Sequence, residues 1–464
     1  MNIKRSVTAV LIIAIIICAI PAFSADTDEI NNIVDEFHNK TRCENLSICV
    51  YDKGSIKYYG DNEGLYQIGS MTKAFTGLAV QKLICEEKLS DEDVITDLIP
   101  GFEAFYASEP AGITVKDLLE QKSGYTNDER KYPAAAEGMS LSDWAASISG
   151  RELCSKPGTE YAYSNVNFNL LGLIIENVSG KSYRAYMEED ILLPLGLDNT
   201  FVGTPSDKRI VEGSRLGYRA AFDYRIAVKE ASIPAGYFYS NTKDMVRWLQ
   251  IWTECADIPE DFIMPVENIR NSLNAEGDYY SGWERFGNDI TGHSGGTPNY
   301  SSRIVFSEDN KTGVCVLTSL NVAATTDSLC NSIFDLVSGK EATGLSTDVW
   351  TVFDNIFTIV SLICIVHLLV MVFTRSKKLL IVSDIILIIL LALILILFPV
   401  IFGAGLKAIL LTWAPLSLAG GLILMAADII ITTIKIFTLK KHADNFKTGK
   451  RQTSDGNNRI SRIQ

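Results

Sequence analysis

Three long apolar stretches near the C-terminus constrain this chain more than any other feature of its sequence. Each stretch approaches or exceeds the roughly 20 residues that an α-helix needs to cross the hydrocarbon core of a bilayer. A chain of this kind folds partly in lipid, so its average composition describes neither of its parts well. The sequence predicts three transmembrane helices, at about 356–373, 379–402 and 408–434.

The charges around these stretches predict which side of the membrane each end faces. The connection at 374–378 (Thr-Arg-Ser-Lys-Lys) is strongly basic, and the tail at 435–464 holds eight Lys or Arg against two Asp. The other connection, at 403–407, carries a single lysine. Because short basic segments stay in the cytoplasm, we expect the first connection and the tail to be cytoplasmic. The chain before residue 356 is then expected outside.

The N-terminus predicts export independently. Residues 1–24 carry Lys4 and Arg5, then an apolar run, then small residues, which is the order of a secretory signal peptide. The alternative is an uncleaved anchor, although the run is short for a membrane span. The predicted organisation is a signal peptide at 1–24, an extracytoplasmic domain at 25–338, a linker at 339–355, the membrane region at 356–434 and a cytoplasmic tail at 435–464. The predicted location is the cell membrane, crossed more than once.

The charge balance argues against nucleic acid as a partner. The chain has 42 Lys and Arg against 55 Asp and Glu, a net charge of −13 and a pI near 5.0, whereas a nucleic-acid binder carries a basic stripe. The mean hydropathy of +0.15 is high for a soluble protein and comes from the apolar stretches. The exported region is therefore acidic and long enough to bury a sizeable core.

Helical and strand patterns both occur in the exported region. Apolar residues recur at helical spacing over 30–37, and residues 46–59 alternate as in a β-hairpin. A further helix fits 166–178, and 301–319 is typical of two paired strands before a closing helix at 326–337. Strands at both ends of a helical middle predict an α+β domain whose termini share one sheet.

The chemistry of the exported region begins at Ser70 and Lys73, which form a Ser-x-x-Lys motif. In a helix that begins at Ser70, Lys73 lies one turn later on the same face, within reach of the serine hydroxyl. A helix N-terminus favours a developing oxyanion, and a buried lysine can lose enough basicity to accept the serine proton. The alternative is a capping serine before a solvated lysine. The apolar run 74–80 argues against that alternative because it indicates a buried helix.

Two further motifs follow in chain order, Tyr-Ser-Asn at 163–165 and His-Ser-Gly-Gly at 293–296. Together the three motifs resemble the serine β-lactamase and penicillin-binding protein superfamily. The chain is most similar to the class C β-lactamase and DD-peptidase branch, which uses Tyr-x-Asn. The likeness extends over about residues 30–335. It implies a β-lactamase/transpeptidase-like α+β fold, in which helices flank an antiparallel sheet beside an all-helical region, followed here by three transmembrane helices.

The resemblance implies catalytic roles for four residues. Ser70 attacks a carbonyl and forms an acyl-enzyme, while Lys73 and Tyr163 manage its proton. Which of the two is the base stays open, as does whether Tyr163 acts as a phenolate or as a neutral relay. His293 stands where lactamases have the lysine of a Lys-Thr-Gly box. It is either a proton carrier or only a residue at the end of the sheet.

The resemblance also implies binding roles. Asn165 holds the substrate amide, and Ser294, Gly295 and Gly296 form the strand edge beside it. The backbone N–H groups of Ser70 and Gly296 form an oxyanion hole. Side chains supply all of this chemistry, so we expect no metal and no cofactor.

The predicted function is a membrane-anchored, extracytoplasmic serine hydrolase acting on a D-amino-acid peptide or a related amide, such as a peptidoglycan stem peptide. The alternatives within enzymes are a β-lactamase and an esterase of the same fold. The histidine at 293, which some DD-peptidase and esterase relatives share, leans away from a dedicated β-lactamase. A non-enzyme alternative is a penicillin or cell-wall sensor that is acylated once, although a 30-residue tail offers little signalling machinery.

Three ionisable residues interrupt the apolar stretches. His367, Asp384 and Asp428 lie at similar depths, about 10 Å from the cytoplasmic ends of their helices. Ionisable residues inside a membrane are functional candidates, and these three could meet in one cluster. The alternative is that they hold the helices together through polar contacts.

Overall fold

A computed structural model describes residues 27–254, 257–274, 277–287 and 289–460. The predicted signal peptide at 1–24 lies outside the described residues. The described chain forms two compact units. The first consists of 27–126, 135–213 and 226–347, and the second consists of 127–134, 214–225 and 348–460. We call them the hydrolase unit and the membrane unit, after the predictions made for their sequences.

The strands of the described chain are mostly short, and the longest of them lie toward the ends of the hydrolase unit. In chain order they are β1 (Leu46–Asp52), β2 (Ser55–Gly60), β3 (Tyr66–Gln67), β4 (Phe105–Tyr106), β5 (Glu109–Pro110), β6 (Phe201–Val202), β7 (Ser214–Gly217), β8 (Ala220–Asp223), β9 (Phe238–Ser240), β10 (Tyr279–Tyr280), β11 (Trp283–Arg285), β12 (Ile290–Thr297), β13 (Tyr300–Ser307) and β14 (Thr312–Thr318).

One seven-stranded antiparallel sheet organises the hydrolase unit. Its strand order is β10-β11-β12-β13-β14-β1-β2, so the first strands of the unit pair with the last one. The register places Cys49 opposite Cys315 in β14 and opposite Tyr58 in β2. Both the predicted hairpin at 46–59 and the predicted sharing of one sheet by the two ends are confirmed.

Helices cover the sheet and form the middle of the hydrolase unit. The α-helices of the described chain are α1 (Thr27–Thr41), α2 (Thr72–Cys85), α3 (Ile95–Leu98), α4 (Val115–Leu119), α5 (Leu141–Ile148), α6 (Asn165–Ser179), α7 (Tyr183–Tyr186), α8 (Ile233–Gly236), α9 (Thr242–Glu254), α10 (Glu260–Ser272), α11 (Ala323–Val337), α12 (Val349–Phe373), α13 (Lys377–Phe402), α14 (Leu406–Ala408) and α15 (Leu416–Ile460). Helices α9 and α11 pack on the sheet, and α2 packs against α6, α8 and α10.

Helix α2 is buried along nearly its whole length, as its apolar sequence predicts. Two glycines allow the chain to approach it closely. A Cβ atom at Gly77 would lie 2.1 Å from the carbonyl oxygen of Ser281, and one at Gly282 would lie 2.3 Å from the carbonyl carbon of Lys73. Larger residues do not fit there. The turn before β11 therefore rests directly on the helix that carries the Ser-x-x-Lys motif.

The membrane unit is built on three helices that are long and apolar enough to cross a membrane, Val349–Phe373, Lys377–Phe402 and Leu416–Lys441. Helices α12 and α13 both pack against α15. Their shared core is apolar and includes Phe357, Cys364, Phe398, Leu418 and Met425.

The third of these helices begins later than the predicted residue 408. A separate π-helical turn covers Ile409–Trp413, and α15 starts at Leu416. The cause is Pro415, because the residue before a proline is driven out of the helical region. Ala414 accordingly has an extended backbone, with φ −75° and ψ 154°.

The hairpin of β7 and β8 belongs to the membrane unit by its contacts. The guanidinium group of Arg215 is buried and donates hydrogen bonds to three main-chain carbonyls, those of Leu410, Leu411 and Ala414. The last carbonyls of a helical segment have no partner within that segment. Arg215 supplies the missing donors where the π-helical turn ends.

A buried carboxylate holds the next part of the same hairpin. Asp354 of α12 accepts a hydrogen bond from the backbone N–H of Arg219 at 2.7 Å and from the hydroxyl of Ser417 at 2.6 Å. One acidic side chain thus joins the hairpin, α12 and α15. The sequence pattern gave no reason to place residues 214–225 beside the apolar helices.

Two separate polar contacts form deeper in the helices. The Nδ1 atom of His367 lies 2.8 Å from both carboxylate oxygens of Asp428, and the hydroxyl of Thr432 donates to the same carboxylate. Asp384 instead accepts a hydrogen bond from Thr433 at 2.7 Å. The three ionisable residues therefore divide into a His367–Asp428 pair and an Asp384–Thr433 pair.

The glycine at position 77 offers a test of the packing around α2. Alanine is the better helix former, yet its Cβ atom would overlap the backbone of Ser281. We expect Gly77→Ala to lower the free energy of unfolding by about 1–3 kcal/mol, measured by thermal or denaturant unfolding of the full chain in detergent. Gly112→Ala is the control, since its nearest neighbour would be 3.9 Å away. An unchanged stability of Gly77→Ala would contradict the close approach.

The His367–Asp428 pair predicts a pattern in three variants. Asp428→Leu leaves the imidazole of His367 without its carboxylate among apolar helices, and we expect a loss of about 1–2 kcal/mol of stability in detergent. Asp428→Asn keeps an acceptor and loses less. The double variant His367→Leu/Asp428→Leu removes both polar groups and recovers part of the loss. Equal stability of all three variants and the parent chain would show that the contact does not hold the helices.

Candidate active site

The predicted nucleophile lies in a tight turn at the start of a buried helix. Residues Gly69–Met71 form one turn of 3₁₀-helix, and α2 follows at once. Gly69 has φ +52°, and a Cβ atom there would lie 2.5 Å from the backbone nitrogen of Gly296. Only glycine allows this approach. The turn thereby brings Ser70 against the Gly295–Gly296 segment of β12.

Lys73 is fully buried and makes three contacts through its amino group. Its Nζ atom lies 3.1 Å from Ser70 Oγ, 2.7 Å from Asn165 Oδ1 and 2.6 Å from the carbonyl oxygen of Ala235. The last two oxygens only accept hydrogen bonds, so they take two N–H groups. The third position on the nitrogen, which is a lone pair in the neutral amine, faces the hydroxyl of Ser70. Burial lowers the pKa of Lys73 well below its usual value, which makes the neutral amine accessible.

Tyr163 completes the surroundings of the serine hydroxyl. Its side chain hydrogen-bonds Ser70, and its ring centroid lies 4.9 Å from Lys73 Nζ. Burial raises the pKa of Tyr163 above its usual value. In the resting site the tyrosine is therefore a phenol that can donate a proton.

A helix cap sets the positions of Tyr163 and Asn165. The hydroxyl of Ser164 accepts a hydrogen bond from the backbone N–H of Val166 and caps α6. The backbone N–H of Ser164 donates to the side chain of Gln121 at 3.0 Å. The side-chain oxygen of Asn165 accepts a hydrogen bond from Lys73, and its amide nitrogen is a donor, the type of group that a substrate carbonyl requires.

His293 is buried beside Tyr163, with 6.0 Å between their ring centroids. Its Nδ1–H donates to the carbonyl oxygen of Ser294 at 2.6 Å, and the hydroxyl of Tyr279 lies 3.3 Å from Nε2. Burial, with the nearby Lys73, lowers the pKa of His293 to about 3. The imidazole is therefore neutral and both of its nitrogens are engaged, which favours a positioning role over a proton-carrying one.

The strand edge after His293 approaches the nucleophile through its backbone. A Cβ atom at Gly295 would lie 2.1 Å from the carbonyl oxygen of Ile68, while Gly296 is exposed. The hydroxyl of Ser294 donates to Asp327 Oδ2 at 2.8 Å and accepts from Arg303 Nη1 at 2.7 Å. The structure thus brings all eight predicted site residues together: Ser70, Lys73, Asn165, Tyr163, His293, Ser294, Gly295 and Gly296.

Sequence reasoning missed the groups that support these residues. Tyr279 belongs to a two-residue strand, which no periodic pattern reveals, and its ring packs edge-on against Tyr163 at 6.1 Å. Ala235 contributes its backbone carbonyl, a group that every residue has, so the sequence does not single it out. Asp327 and Arg303 lie 24 residues apart in the chain, and both contact the hydroxyl of Ser294.

Comparisons with known proteins identify the family and the fold of this chain. A family model described as Beta-lactamase matches residues 30–331. Protein flp of Staphylococcus aureus strain N315 is 27% identical over 448 residues, which is 88% of this chain and 90% of that protein. A putative D-alanyl-D-alanine carboxypeptidase of Escherichia coli K12 is 37% identical over 145 residues, which is 29% of this chain and 33% of its own length.

Two solved structures share the fold. The octameric penicillin-binding protein homologue from Pyrococcus abyssi has a TM-score of 0.59 at 23% identity, over 69% of this chain and 79% of its own. A class C β-lactamase has a TM-score of 0.58 at 15% identity, over 67% of this chain and 95% of its own. The predicted α+β, β-lactamase/transpeptidase-like fold, with three apolar helices after it, is confirmed. This chain belongs to the β-lactamase family of serine hydrolases and penicillin-binding proteins.

Proposed function

We propose that this chain is a membrane-anchored serine hydrolase that forms an acyl-enzyme at Ser70 from a D-amino-acid peptide or a related amide or ester. One observation carries the proposal: the buried amino group of Lys73 lies 3.1 Å from the Ser70 hydroxyl. Two acceptor-only oxygens hold that amino group from the other side. Such an arrangement activates a serine for nucleophilic attack.

The proposed reaction begins with attack on the substrate carbonyl. Lys73 takes the proton of Ser70 as its Oγ atom bonds to the carbonyl carbon. The backbone N–H groups of Ser70 and Gly296 stabilise the oxyanion of the tetrahedral intermediate. The close packing of Gly69 on Gly296 supports this pairing of donors.

Collapse of the intermediate breaks the bond to the leaving group. Tyr163 is a phenol next to Ser70, so it gives its proton to the departing nitrogen or oxygen and receives the proton held by Lys73. Water then attacks the acyl-enzyme by the reverse sequence and releases Ser70. In this scheme Lys73 is the base and Tyr163 the relay, while His293 holds the tyrosine ring in place.

The proposal places the hydrolase unit outside the cell membrane. The three long apolar helices support the anchor, and the basic residues at 374–378 and 435–464 support a cytoplasmic location for those segments. The predicted signal peptide at 1–24 supports export of the chain that follows it. The substrate would then be a β-lactam or a wall peptide reached from outside.

The nucleophile can be tested with a simple acyl donor. We expect the full chain in detergent to hydrolyse the p-nitrophenyl ester of acetyl-D-alanine, and Ser70→Ala to lower kcat/KM by at least about 10³-fold. Mass spectrometry of the quenched reaction should find the acyl group on the peptide that contains Ser70. Ser55→Ala, which changes an exposed serine of β2, is the matched control. Full activity of Ser70→Ala would overturn the proposal.

The lifetime of the same acyl adduct distinguishes an enzyme from a sensor. An enzyme shows a burst followed by steady turnover, whereas a sensor stops after one equivalent and keeps its acyl group. A fluorescent penicillin followed by a chase distinguishes the β-lactamase alternative, because a β-lactamase sheds the label rapidly. Retention of the ester-derived acyl group over hours would favour the sensor.

The pH dependence of kcat/KM tests the assignment of the base. The pKa of His293 is about 3 and burial raises the pKa of Tyr163, so a proton lost between those two pKa values belongs to Lys73, whose pKa burial lowers. We expect kcat/KM to rise with pH as Lys73 loses its proton. His293→Gln should lower kcat/KM and leave the midpoint of this rise unchanged. A rise that disappears in His293→Gln would assign the titration to the histidine instead.

A further inference from the structure

The two-residue turn between β7 and β8 has an unfavourable backbone. Tyr218 and Arg219 connect the strands, and both have positive φ angles, of +52° and +64°. Turns of this kind prefer Asn-Gly, because most residues with a Cβ atom are strained at positive φ. A tyrosine and an arginine at these two positions indicate that the turn is kept for its side chains.

We propose that this hairpin, residues 214–225, binds phospholipid at the outer face of the membrane. Tyr218 and Phe222 lie at the boundary between headgroups and acyl chains, and Arg219 binds a lipid phosphate. The inference rests on the membrane anchoring proposed above and is independent of the reaction at Ser70. It is carried by the depth at which the hairpin is held, by the aromatic rings that it exposes and by its charge.

The hairpin is attached to one end of the membrane unit. Because α12, α13 and α15 cross the membrane one after another, the start of α12, the end of α13 and the start of α15 lie on the same side. Arg215 binds main-chain carbonyls in the segment between α13 and α15. The backbone N–H of Arg219 binds Asp354, five residues after the start of α12. Both attachments therefore hold the hairpin at the side where the chain enters the membrane.

The position of Tyr218 along α15 gives the depth of the turn. A Cβ atom at Gly420 would overlap the hydroxyl oxygen of Tyr218, so the tyrosine lies across the helix at that glycine. Gly420 is four residues, or about 6 Å, from the start of α15 at Leu416. The apolar span of 26 residues is about 39 Å long, whereas the hydrocarbon core is about 30 Å thick, so about 4–5 Å at each end lies among the headgroups. Tyr218 is therefore at the boundary of the two regions.

The hairpin exposes aromatic side chains at this depth. Tyr218 is 44% exposed and Phe222 is 45% exposed. Phe222 is the register partner of Arg215, so its side chain shares the face of the hairpin that binds the helical segment. Tyrosine is enriched at the membrane–water interface because its ring is apolar and its hydroxyl is polar. Acyl chains would cover the ring of Phe222, which water solvates poorly.

The hairpin is basic although the whole chain is acidic. Residues 214–225 contain three Arg and one Asp, a net charge of +2, whereas the chain has a net charge of −13. Arg215 is buried, but Arg219 is exposed at the turn. A guanidinium can bind phosphate oxygens through two parallel N–H groups. The turn thus offers a cation beside an aromatic ring, which complements a phospholipid surface.

The depth of Phe222 can be measured by fluorescence quenching on the full chain in phosphatidylcholine vesicles. After subtraction of the parent chain with its six tryptophans, we expect the added tryptophan of Phe222→Trp to be quenched at least about 2-fold more by lipids brominated near the headgroup than by lipids brominated near the chain end. Ile389→Trp, at a 53% exposed position in the middle of α13, is the reference and should show the opposite order.

This reference separates the two proposals. Quenching of Ile389→Trp without quenching of Phe222→Trp would overturn the lipid contact of the hairpin and leave the membrane anchor standing. Quenching of neither variant would overturn both the contact and the anchor.

The phosphate contact is tested by titrating phosphatidylglycerol into the full chain in detergent and counting bound lipids by native mass spectrometry. We expect Arg219→Gln to weaken the lipid affinity about 5-fold. Arg130→Gln is the matched control, since its guanidinium lies in the same unit and is already paired with Asp128 at 2.8 and 2.7 Å. An unchanged affinity in Arg219→Gln, or an equal loss in both variants, would overturn the contact. Glycerol phosphate should not compete, and competition by it would show that a free phosphate suffices.

The strained turn provides a variant that separates binding from folding. Tyr218→Asn/Arg219→Gly installs the residues that this turn prefers. We expect its thermal unfolding midpoint in detergent to be at least that of the parent chain, while its affinity for phosphatidylglycerol falls by at least about 5-fold. Parental lipid affinity in this variant would show that the side chains of the turn do not bind lipid.

Discussion

The burial of one amino group determines how the rest of the candidate site is arranged. Lys73 is enclosed by the protein and touches Ser70, Asn165 and the carbonyl of Ala235. An ammonium ion is costly to bury, so the surroundings shift its protonation toward the neutral amine that can take a proton from serine. Tyr163 and His293 lie in the same low-dielectric region, which favours their neutral forms too. A single physical constraint thus sets the protonation of all three groups.

Such burial requires the backbone to come very close to α2, and glycines make that possible. Gly69, Gly77, Gly282 and Gly295 each stand where a Cβ atom would overlap main-chain atoms of a neighbouring segment. The segments around Ser70, Ser281 and Gly295 therefore contact one another through main-chain atoms, with no side chain between them. The candidate site depends on these contacts for its enclosure. The candidate catalytic residues lie on the elements that the glycines bring together.

Local patterns predicted the elements of the fold, and long-range packing decided what they could not show. The hairpin at 46–59 and the helix at 166–178 follow from apolar periodicity, and the three motifs predicted which side chains meet at Ser70. Tyr279 and Asp327 reach the site only through the sheet register and the packing of α11, which no local pattern encodes. The third apolar stretch predicts a helix from about residue 408, whereas Pro415 breaks the helix and α15 starts at Leu416.

The contacts of the β7–β8 hairpin have a practical consequence for the handling of this protein. Residues 214–225 come from the middle of the family-like sequence, yet Arg215 and Arg219 take their partners from the apolar C-terminal region. Cutting the chain before Val349 would remove those partners and leave a buried guanidinium and the backbone of the hairpin to water. A fragment made in this way would differ from the full chain inside the region that the family model matches, and not only in the loss of the apolar helices.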